Sequence, residues 1–288
     1  MGIDFDTTTP AGYQAALAAL AWQVDCGVTE VIGDSPANAY DLPERAAWAT
    51  TRPAAAPPNA PSRPAPRPSP APAGEPYVPT PPQAAQAAEA AVAAATDAAR
   101  RAQSLDDLRA ALDRFEHCEL KKGARNLVFC DGRAGARVLV LGEAPGRDED
   151  LQGKPFVGAA GQLLDRMFAA IGLSRESPDL QSALYITNVM PWRPPANRDP
   201  TPDEVAMMRP FVERHIELAD PDLIVLMGNT PCSALLGSKG ILRLRGNWTS
   251  ALGKPVLPMT HPAYLLRNPA AKREAWADLL ALKQRLAS

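Results

Sequence analysis

The sequence predicts an α/β fold of three layers, α/β/α, in which a central four-stranded parallel sheet lies between two layers of helices. Short apolar runs, typical of strands that are covered on both faces, alternate along the chain with segments in which apolar residues recur at helical spacing. This alternation is what βαβ crossovers produce, and it predicts helices on both faces of one sheet. The four predicted strands are 137–141, 184–189, 223–227 and 256–259.

Helices are predicted before, between and after these strands. Thr201 precedes one of them as a favourable N-cap, and Ser104 begins another with a Ser-x-x-Asp approximation to a capping box. Residues 83–103 are rich in alanine, a strong helix former, but their apolar face holds little else and is expected to pack weakly. The predicted helices span 83–102, 105–116, 160–171, 203–218 and 270–286, and a short one follows the third strand.

The distribution of proline predicts how the chain is divided. Thirteen of the 31 prolines fall in residues 52–82. Such a stretch buries too little apolar surface to fold and is typical of an extended linker, with a docking site for a proline-binding partner as the alternative. The predicted segments are 1–50, of unknown role with one short helix at 11–24; 51–82, the disordered linker; 83–103, the Ala-rich helix; and 104–288, the α/β domain.

The charge and the cysteine content of the chain indicate what kind of partner it can bind and in which cellular compartment it is found. The net charge of −2 divides into +2 for residues 104–288 (24 Lys and Arg, 22 Asp and Glu) and −4 for residues 1–103 (6 and 10). A nucleic-acid partner therefore requires a local basic face. Four scattered cysteines without a CxxC pair indicate a reducing compartment. With no signal peptide or membrane-spanning run, the sequence predicts a cytoplasmic protein without a membrane partner.

Four motifs follow one another at the ends of predicted strands or in loops beside them. They are GEAPG at 142–146, GKPFVG at 153–158, TNV at 187–189 and HPAYLLR at 261–267. In a parallel sheet the functional loops lie at the carboxyl ends of the strands, where three of these motifs are predicted. Over residues 115–288 this ordered set resembles the uracil-DNA glycosylase superfamily, and most closely its family-4 branch.

The resemblance implies an enzyme that takes a uracil base out of the DNA stack and reads it by stacking and by its Watson–Crick edge. It assigns base stacking to Phe156. It assigns to Asn188 the hydrogen bonds to uracil O4 and N3–H, since a side-chain amide offers one donor and one acceptor. It makes His261 a donor to uracil O2 as negative charge develops. The structural alternatives are a core phenylalanine, a capping asparagine and a structural histidine.

Two carboxylates and an alanine complete the site that the resemblance implies. Where the better-known family-1 enzymes have a water-positioning aspartate, this chain has Ala144, as family 4 does, so Glu143 becomes the candidate for positioning water or stabilising the cation. Backbone N–H groups of 144–146 are further candidates for holding the base. Glu149 corresponds to a position near uracil C5 that would exclude the thymine methyl group, and a solvated acidic loop is the alternative.

Several cations and one apolar residue are candidates for contacts with DNA. Basic side chains near the motifs suit phosphates, which position a duplex without reading its sequence. Leu265 and the next leucine would fill the gap that the extruded base leaves, or simply anchor their loop. The predicted DNA-binding residues are Arg193, Arg198, Arg245, Leu265, Arg267 and Lys272.

The chain departs from family 4 at the iron–sulfur cluster. The four cysteine positions of that family correspond here to Phe115, Cys118, Trp192 and Met208. One thiolate cannot replace the four ligands that such clusters use. The sequence therefore predicts no cofactor and no metal, with the three large apolar residues filling the vacated space.

The function predicted from these features is that of a monofunctional uracil-DNA glycosylase that starts base excision repair. Its expected partner is uracil-containing DNA, and the protein is expected to act as a cytoplasmic, nucleoid-associated monomer. The alternative is a weakly active or non-catalytic binder of uracil-containing or abasic DNA.

Overall fold

A computed structural model describes residue 9, residues 12–14, residue 17 and residues 81–287, with side chains from 86 onward within the last range. Residues 12–14 and 17 are helical, which agrees with part of the helix predicted at 11–24. The rest of the segment predicted at 1–50, and nearly all of the predicted linker, lie outside the described residues. The chain divides into two units, Met1–Gly74 and Glu75–Ser288, and the second unit holds the sheet and the helices that pack against it.

The central sheet has six strands in the order β1-β3-β2-β4-β6-β5. The four inner strands are mutually parallel and correspond to the four predicted ones. The predicted count of four omitted β1 and β5, two short antiparallel edge strands, because runs of two and three residues carry no readable periodicity. The strands are β1 (Asp131–Gly132), β2 (Val138–Gly142), β3 (Leu184–Asn188), β4 (Leu223–Met227), β5 (Thr249–Ala251) and β6 (Lys254–Met259).

Helices occupy the segments where they were predicted, within about three residues at most ends. Ser104 and Thr201 are N-caps as expected, each accepting a hydrogen bond from a backbone N–H three residues later. The α-helices are α1 (Pro81–Arg101), α2 (Leu105–Asp113), α3 (Leu120–Gly123), α4 (Arg147–Gln152), α5 (Ala159–Ala169), α6 (Pro202–Ala219), α7 (Asn229–Leu236), α8 (Ile241–Leu244), α9 (Pro262–Arg267) and α10 (Lys272–Leu286).

Two apolar cores lie on opposite faces of the sheet. Alternate residues of β2 point to opposite sides, so that Leu139 and Leu141 belong to one core and Val138 and Val140 to the other, all of them fully buried. The first core lies against α1, α2 and α6, and the second against α5 and α10. This arrangement confirms the predicted α/β/α sandwich.

The alanine face of α1, which was expected to pack weakly, is buried against α6. Ala91, Ala95 and Ala99 are at most 4% exposed, and small side chains allow two helices to approach closely. Arg214 on α6 also donates two hydrogen bonds, of 3.0 and 2.8 Å, to the carbonyl of Ala102 just beyond the end of α1. Helix α1 is therefore part of the folded unit.

Removing α1 is expected to destabilise the protein, whereas removing residues 1–74 is not. A protein beginning at residue 104 loses the buried alanine face and the two hydrogen bonds from Arg214 to the carbonyl of Ala102. At about 0.8 kcal/mol per buried carbon we expect a loss of about 3 kcal/mol or more in the free energy of unfolding. Urea denaturation of proteins beginning at residues 1, 75 and 104 measures this loss. Equal midpoints for all three would show that α1 contributes nothing.

Within the described part of the chain, no helix is both long and apolar enough to cross a membrane.

Candidate functional site

The carboxyl ends of the parallel strands bring three of the four motifs together. Gly142 and Asn188 are register partners at the ends of β2 and β3. A side chain cannot be accommodated at Gly142, since an added Cβ would lie 2.3 Å from Asn188 Oδ1 and 2.5 Å from Phe156 Cε2. Because Gly142 has no side chain, the amide of Asn188 and the ring of Phe156 can both lie directly against its backbone.

Phe156 occupies this point in a strained backbone conformation. Its φ of 54° is uncommon for a residue other than glycine, and such outliers concentrate at functional sites. The side chain is 5% exposed, and its ring stacks on that of His261 with centroids 5.4 Å apart and planes inclined by 29°. The GKPFVG motif, on the loop before α5, therefore joins the three motifs at the strand ends.

Two residues that the sequence analysis did not identify hold Phe156 in place. Arg175, whose side chain is 9% exposed, donates hydrogen bonds of 2.9 Å to the carbonyls of Pro155 and Phe156. Gly161 leaves room for the Phe156 backbone, because an added Cβ would lie 1.8 Å from that carbonyl oxygen. Arg175 lies outside every motif, so no sequence signal pointed to it.

His261 is held as a neutral ring with a defined tautomer. Its Nδ1 accepts a hydrogen bond of 3.1 Å from the backbone N–H of Ala263, at the start of α9, so the proton lies on Nε2. Burial, with a smaller contribution from the nearby positive charge of Arg267, lowers the pKa of His261 to about 4. Near neutral pH the ring is therefore an uncharged donor through Nε2.

The side-chain amide of Asn188 is available to a ligand. The residue is 7% exposed, and no other described residue forms a hydrogen bond with its amide. Its neighbour Thr187 is anchored instead, donating a hydrogen bond of 2.7 Å to the carbonyl of Phe129. One donor and one acceptor are thus presented at a fixed point beside Phe156 and His261.

Glu143 lies at the edge of the same site and has one oxygen engaged. Its Oε2 accepts a hydrogen bond of 2.5 Å from the hydroxyl of Thr230 on α7, a residue that the sequence analysis also missed. Burial raises the pKa of Glu143, the Thr230 hydrogen bond lowers it, and the negative charge of Asp199 raises it. No described residue forms a hydrogen bond with Oε1.

Glu149 connects two of the motif loops. Its Oε2 accepts from Gly146 N–H at 3.1 Å, and its Oε1 accepts from the N–H groups of Val157 and Gly158 at 3.0 and 2.9 Å. The alternative of a freely solvated acidic loop is therefore wrong for this side chain. Its predicted proximity to uracil C5 stays a prediction.

Of the backbone positions 144–146 in the first motif, only one has an N–H group that is not already hydrogen-bonded to a described residue. Gly146 N–H is occupied by Glu149, and Pro145 has no N–H. The N–H of Ala144, which lies partly buried beside the first core, is not engaged by any described residue. Of the three backbone positions considered, Ala144 is the one that can hold a base.

Three of the predicted DNA-binding arginines are engaged within the protein, and Arg193 is one of them, donating a hydrogen bond of 2.7 Å to Asn197 Oδ1. Arg245 pairs with Asp278, whose side chain is 2% exposed, and it also donates to the carbonyl of Glu274 at 2.8 Å. Arg198 forms a two-pronged ion pair with Glu204, at 2.9 and 2.6 Å. Arg245 fastens the loop after α8 to α10, so the structure gives it a structural role and not the predicted one.

The predicted wedge leucine is also corrected by the structure. Leu265 is 1% exposed and packs against Leu163 and Ala275, because its position on α9 points it inward. Its neighbour Leu266 is 42% exposed. The remaining predicted cations keep exposed or half-exposed positions: Arg193 in the loop after β3, Arg267 at the end of α9 and Lys272 at the start of α10.

The four positions that correspond to the family-4 cluster ligands form part of one apolar core. Phe115, Cys118, Trp192 and Met208 are each at most 5% exposed and belong to the same buried cluster. The ring of Phe115 meets that of Phe211 edge to face at 5.2 Å. Burial also raises the pKa of the Cys118 thiol, which disfavours the thiolate that binds metal. These residues do not fit an iron–sulfur cluster.

The fold and the site define an α/β protein in which a phenylalanine ring, an asparagine amide and a histidine meet at the carboxyl edge of the parallel sheet. Residues 129–280 match the model of the Uracil DNA glycosylase superfamily. This chain belongs to that superfamily.

Its relatives include three proteins named type-4 uracil-DNA glycosylase. That of Archaeoglobus fulgidus is 40% identical over 185 residues, which cover 61% of this chain and 90% of the relative. That of Thermotoga maritima is 42% identical over 154 residues, covering 52% and 77%. That of Saccharolobus solfataricus is 36% identical over 195 residues, covering 64% and 88%. The resemblance to this branch of the superfamily is confirmed.

Proposed function

We propose that this protein is a monofunctional uracil-DNA glycosylase, which flips uracil out of DNA, hydrolyses its N-glycosidic bond and so starts base excision repair. The observation that carries the proposal is the convergence of a stacking ring, a free amide and a neutral imidazole donor at one edge of the sheet. The relatives named type-4 uracil-DNA glycosylase support the same substrate.

Recognition of uracil would rest on Phe156 and Asn188. The ring of Phe156 offers a face on which a flipped base stacks, an interaction worth about 1–3 kcal/mol per base in other proteins. The amide of Asn188 would donate to uracil O4 and accept from N3–H. Cytosine presents the reversed pattern of donor and acceptor, so the same amide would disfavour it.

Cleavage would rest on His261 and Glu143. As the bond to the base breaks, negative charge builds on the pyrimidine and positive charge on the sugar. The Nε2–H of neutral His261 would donate to uracil O2, where that negative charge accumulates. The carboxylate of Glu143, whose pKa is raised by burial and lowered by the Thr230 hydrogen bond, would position the attacking water or stabilise the sugar cation.

Binding of DNA would use the exposed residues that surround this pocket. Arg193, Arg267 and Lys272 are placed to meet phosphates, and exposed Leu266 replaces Leu265 as the residue for the gap in the stack. We exclude Arg245 from this set, and Arg198 would have to leave Glu204 to contribute. The expectations of a monomer and of a cytoplasmic, nucleoid-associated location stay predictions.

We expect a monofunctional mechanism because the motif residues offer no lysine that is evidently placed to attack the sugar. Lys154, the lysine within the motifs, is 59% exposed along its side chain and lies 3.5 Å from Asp131. A uracil-containing oligonucleotide should lose its base on incubation and break only after alkali. Breakage without alkali, trapped as an adduct by borohydride, would contradict the mechanism. Tight binding without base release would support the alternative, a non-catalytic binder.

Glu149→Ala is expected to reduce uracil release about tenfold or more and to relax the exclusion of thymine. The change removes three hydrogen bonds to a charged group, each worth about 1.5–3 kcal/mol, and frees the loop that carries Phe156. Glu149→Gln keeps the shape and should restore part of the rate. Release of uracil and of thymine from matched duplexes measures both effects, and Asp148→Ala, on the exposed neighbour, is the control. Unchanged rates and selectivity would show that Glu149 is only a charged residue of the loop, with no role in catalysis or in selectivity.

A further inference from the structure

We infer that Thr230 is a positioning residue for Glu143: its hydroxyl fixes one carboxylate oxygen and thereby leaves the other to hold the attacking water. The inference rests on the proposed function, because it gives Glu143 a place in base excision. It assigns a role to a residue outside the four motifs. The two residues lie 87 positions apart in the chain and meet only in the folded protein.

The geometry divides the two carboxylate oxygens between two tasks. Oε2 accepts the Thr230 hydroxyl at 2.5 Å, a short distance typical of a hydrogen bond to a charged oxygen. Oε1 has no hydrogen-bond partner among the described residues. A carboxylate bound at one oxygen can rotate less about its last bond, so Oε1 keeps one direction from which to meet a water molecule.

Both partners are attached to strand ends that are themselves fixed. The carbonyl of Glu143 accepts a hydrogen bond of 2.9 Å from Met190 N–H, so its backbone continues the pairing of β2 with β3. Thr230 follows β4, and its neighbour Asn229 accepts hydrogen bonds from the N–H groups of Gly240 and Ile241 at 3.0 and 2.8 Å. The hydrogen bond therefore joins two rigid points across the edge of the sheet.

The same contact favours the ionised form of Glu143, which is the form that would hold the attacking water. Burial raises the pKa of Glu143, and Asp199, in the loop before α6, raises it further. The Thr230 hydroxyl acts in the opposite direction by stabilising the carboxylate. Loss of the hydroxyl should therefore raise the pKa of Glu143 and move the acid limb of the rate profile to higher pH.

Thr230→Val and Thr230→Ser separate a positioning role from a merely structural one. Valine keeps the branched shape and removes the donor, whereas serine keeps the donor and loses a methyl group. We expect the valine variant to release uracil about 10- to 100-fold more slowly in single turnover, which corresponds to losing one hydrogen bond to a charged group. Its affinity for uracil-containing DNA should stay within about twofold, and the serine variant should recover both rate and pH profile. Ser233→Ala, one turn further along α7, is the matched control.

Two further measurements make the outcome decisive. In a Glu143→Gln background the valine change should have little additional effect, because the two residues act together. Carbon-13 NMR of the glutamate carboxyl groups, assigned with Glu143→Gln, should show the pKa of Glu143 rising in the valine variant. An unchanged pKa, or a loss of rate that serine does not rescue, would overturn the inference. A normal shift of that pKa in a protein that releases no uracil would overturn the proposed function and leave the hydrogen-bonded pair intact.

Discussion

Replacing His261 or Asn188 by alanine is expected to lower the single-turnover rate of uracil release by about 10²–10³-fold in each case, while the protein stays folded. Both side chains present preorganised hydrogen-bonding groups: Asn188 is buried and His261 is partly buried. His261 is aligned by the N–H of Ala263, and Asn188 by the pairing of β3 with β2. Neither has to reorganise as charge develops on the base.

The pH dependence of the rate tests the state of His261. Because the pKa of His261 lies at about 4, the ring stays neutral from pH 8 down to about 5, and protonation of His261 should cause no break in the rate near the usual histidine pKa of about 6.5. The rate should fall only at acid pH, first as Glu143 becomes protonated and then as His261 becomes protonated. A rate that rises as histidine becomes protonated near 6.5 would show that the cation is the active form.

His117→Ala is the matched control for the histidine variant. His117 is exposed and lies outside the site, so its loss should leave the rate unchanged. Thermal unfolding of all three variants separates loss of chemistry from loss of structure. If His261→Ala and Asn188→Ala both keep near-normal single-turnover rates, the assignment of the site is wrong.

The four parallel strands could be predicted because each of them is a continuous run of mostly apolar residues in the sequence. The runs at 138–141 and 223–227 are buried on both faces, and burial on both faces is what removes the alternation of polar residues. Strands β1 and β5 were missed because they form by antiparallel pairing with β3 and β6, and their own residues show no apolar pattern.

Site residues that lie in a motif at the end of a strand could be predicted from the sequence. Site residues that are positioned only by contacts between distant parts of the chain could not. Gly142, Asn188 and His261 lie at strand ends, and the sheet alone brings these positions together. By contrast, Arg175 and Thr230 act from loops and helices that no local pattern connects to the motifs.

Side-chain direction and ion pairing account for the errors among the predicted DNA contacts. Sequence spacing could not distinguish buried Leu265 from exposed Leu266, since that depends on how α9 packs against α5. It also could not show that Arg245 is paired with the buried Asp278.

Trp192→Ala is expected to lower the free energy of unfolding by about 3–5 kcal/mol, the cost of removing a large aromatic side chain from a well-packed core. Trp192 is 2% exposed in the core that also holds Phe115 and Met208, and these residues occupy three of the four positions that correspond to the family-4 cluster ligands. Its loop follows Asn188, and Pro191 in that loop accepts a hydrogen bond of 2.9 Å from Val128 N–H. The indole would therefore take over the role of a cluster in holding this loop against α6.

The measurement compares Trp192→Ala with Trp276→Ala in urea. Trp276, on α10, is 44% exposed and should cost less than about 1 kcal/mol, so the difference between the two variants isolates burial from residue type. Because a domain has only about 5–15 kcal/mol of stability, the Trp192 variant should be close to unfolding and should lose uracil release when warmed. Elemental analysis of the purified wild type should find no iron, since Phe115, Trp192 and Met208 supply no thiolate. Brown protein with stoichiometric iron, lost on replacing Cys118, would show instead that a cluster is bound and that apolar packing is not what holds this loop.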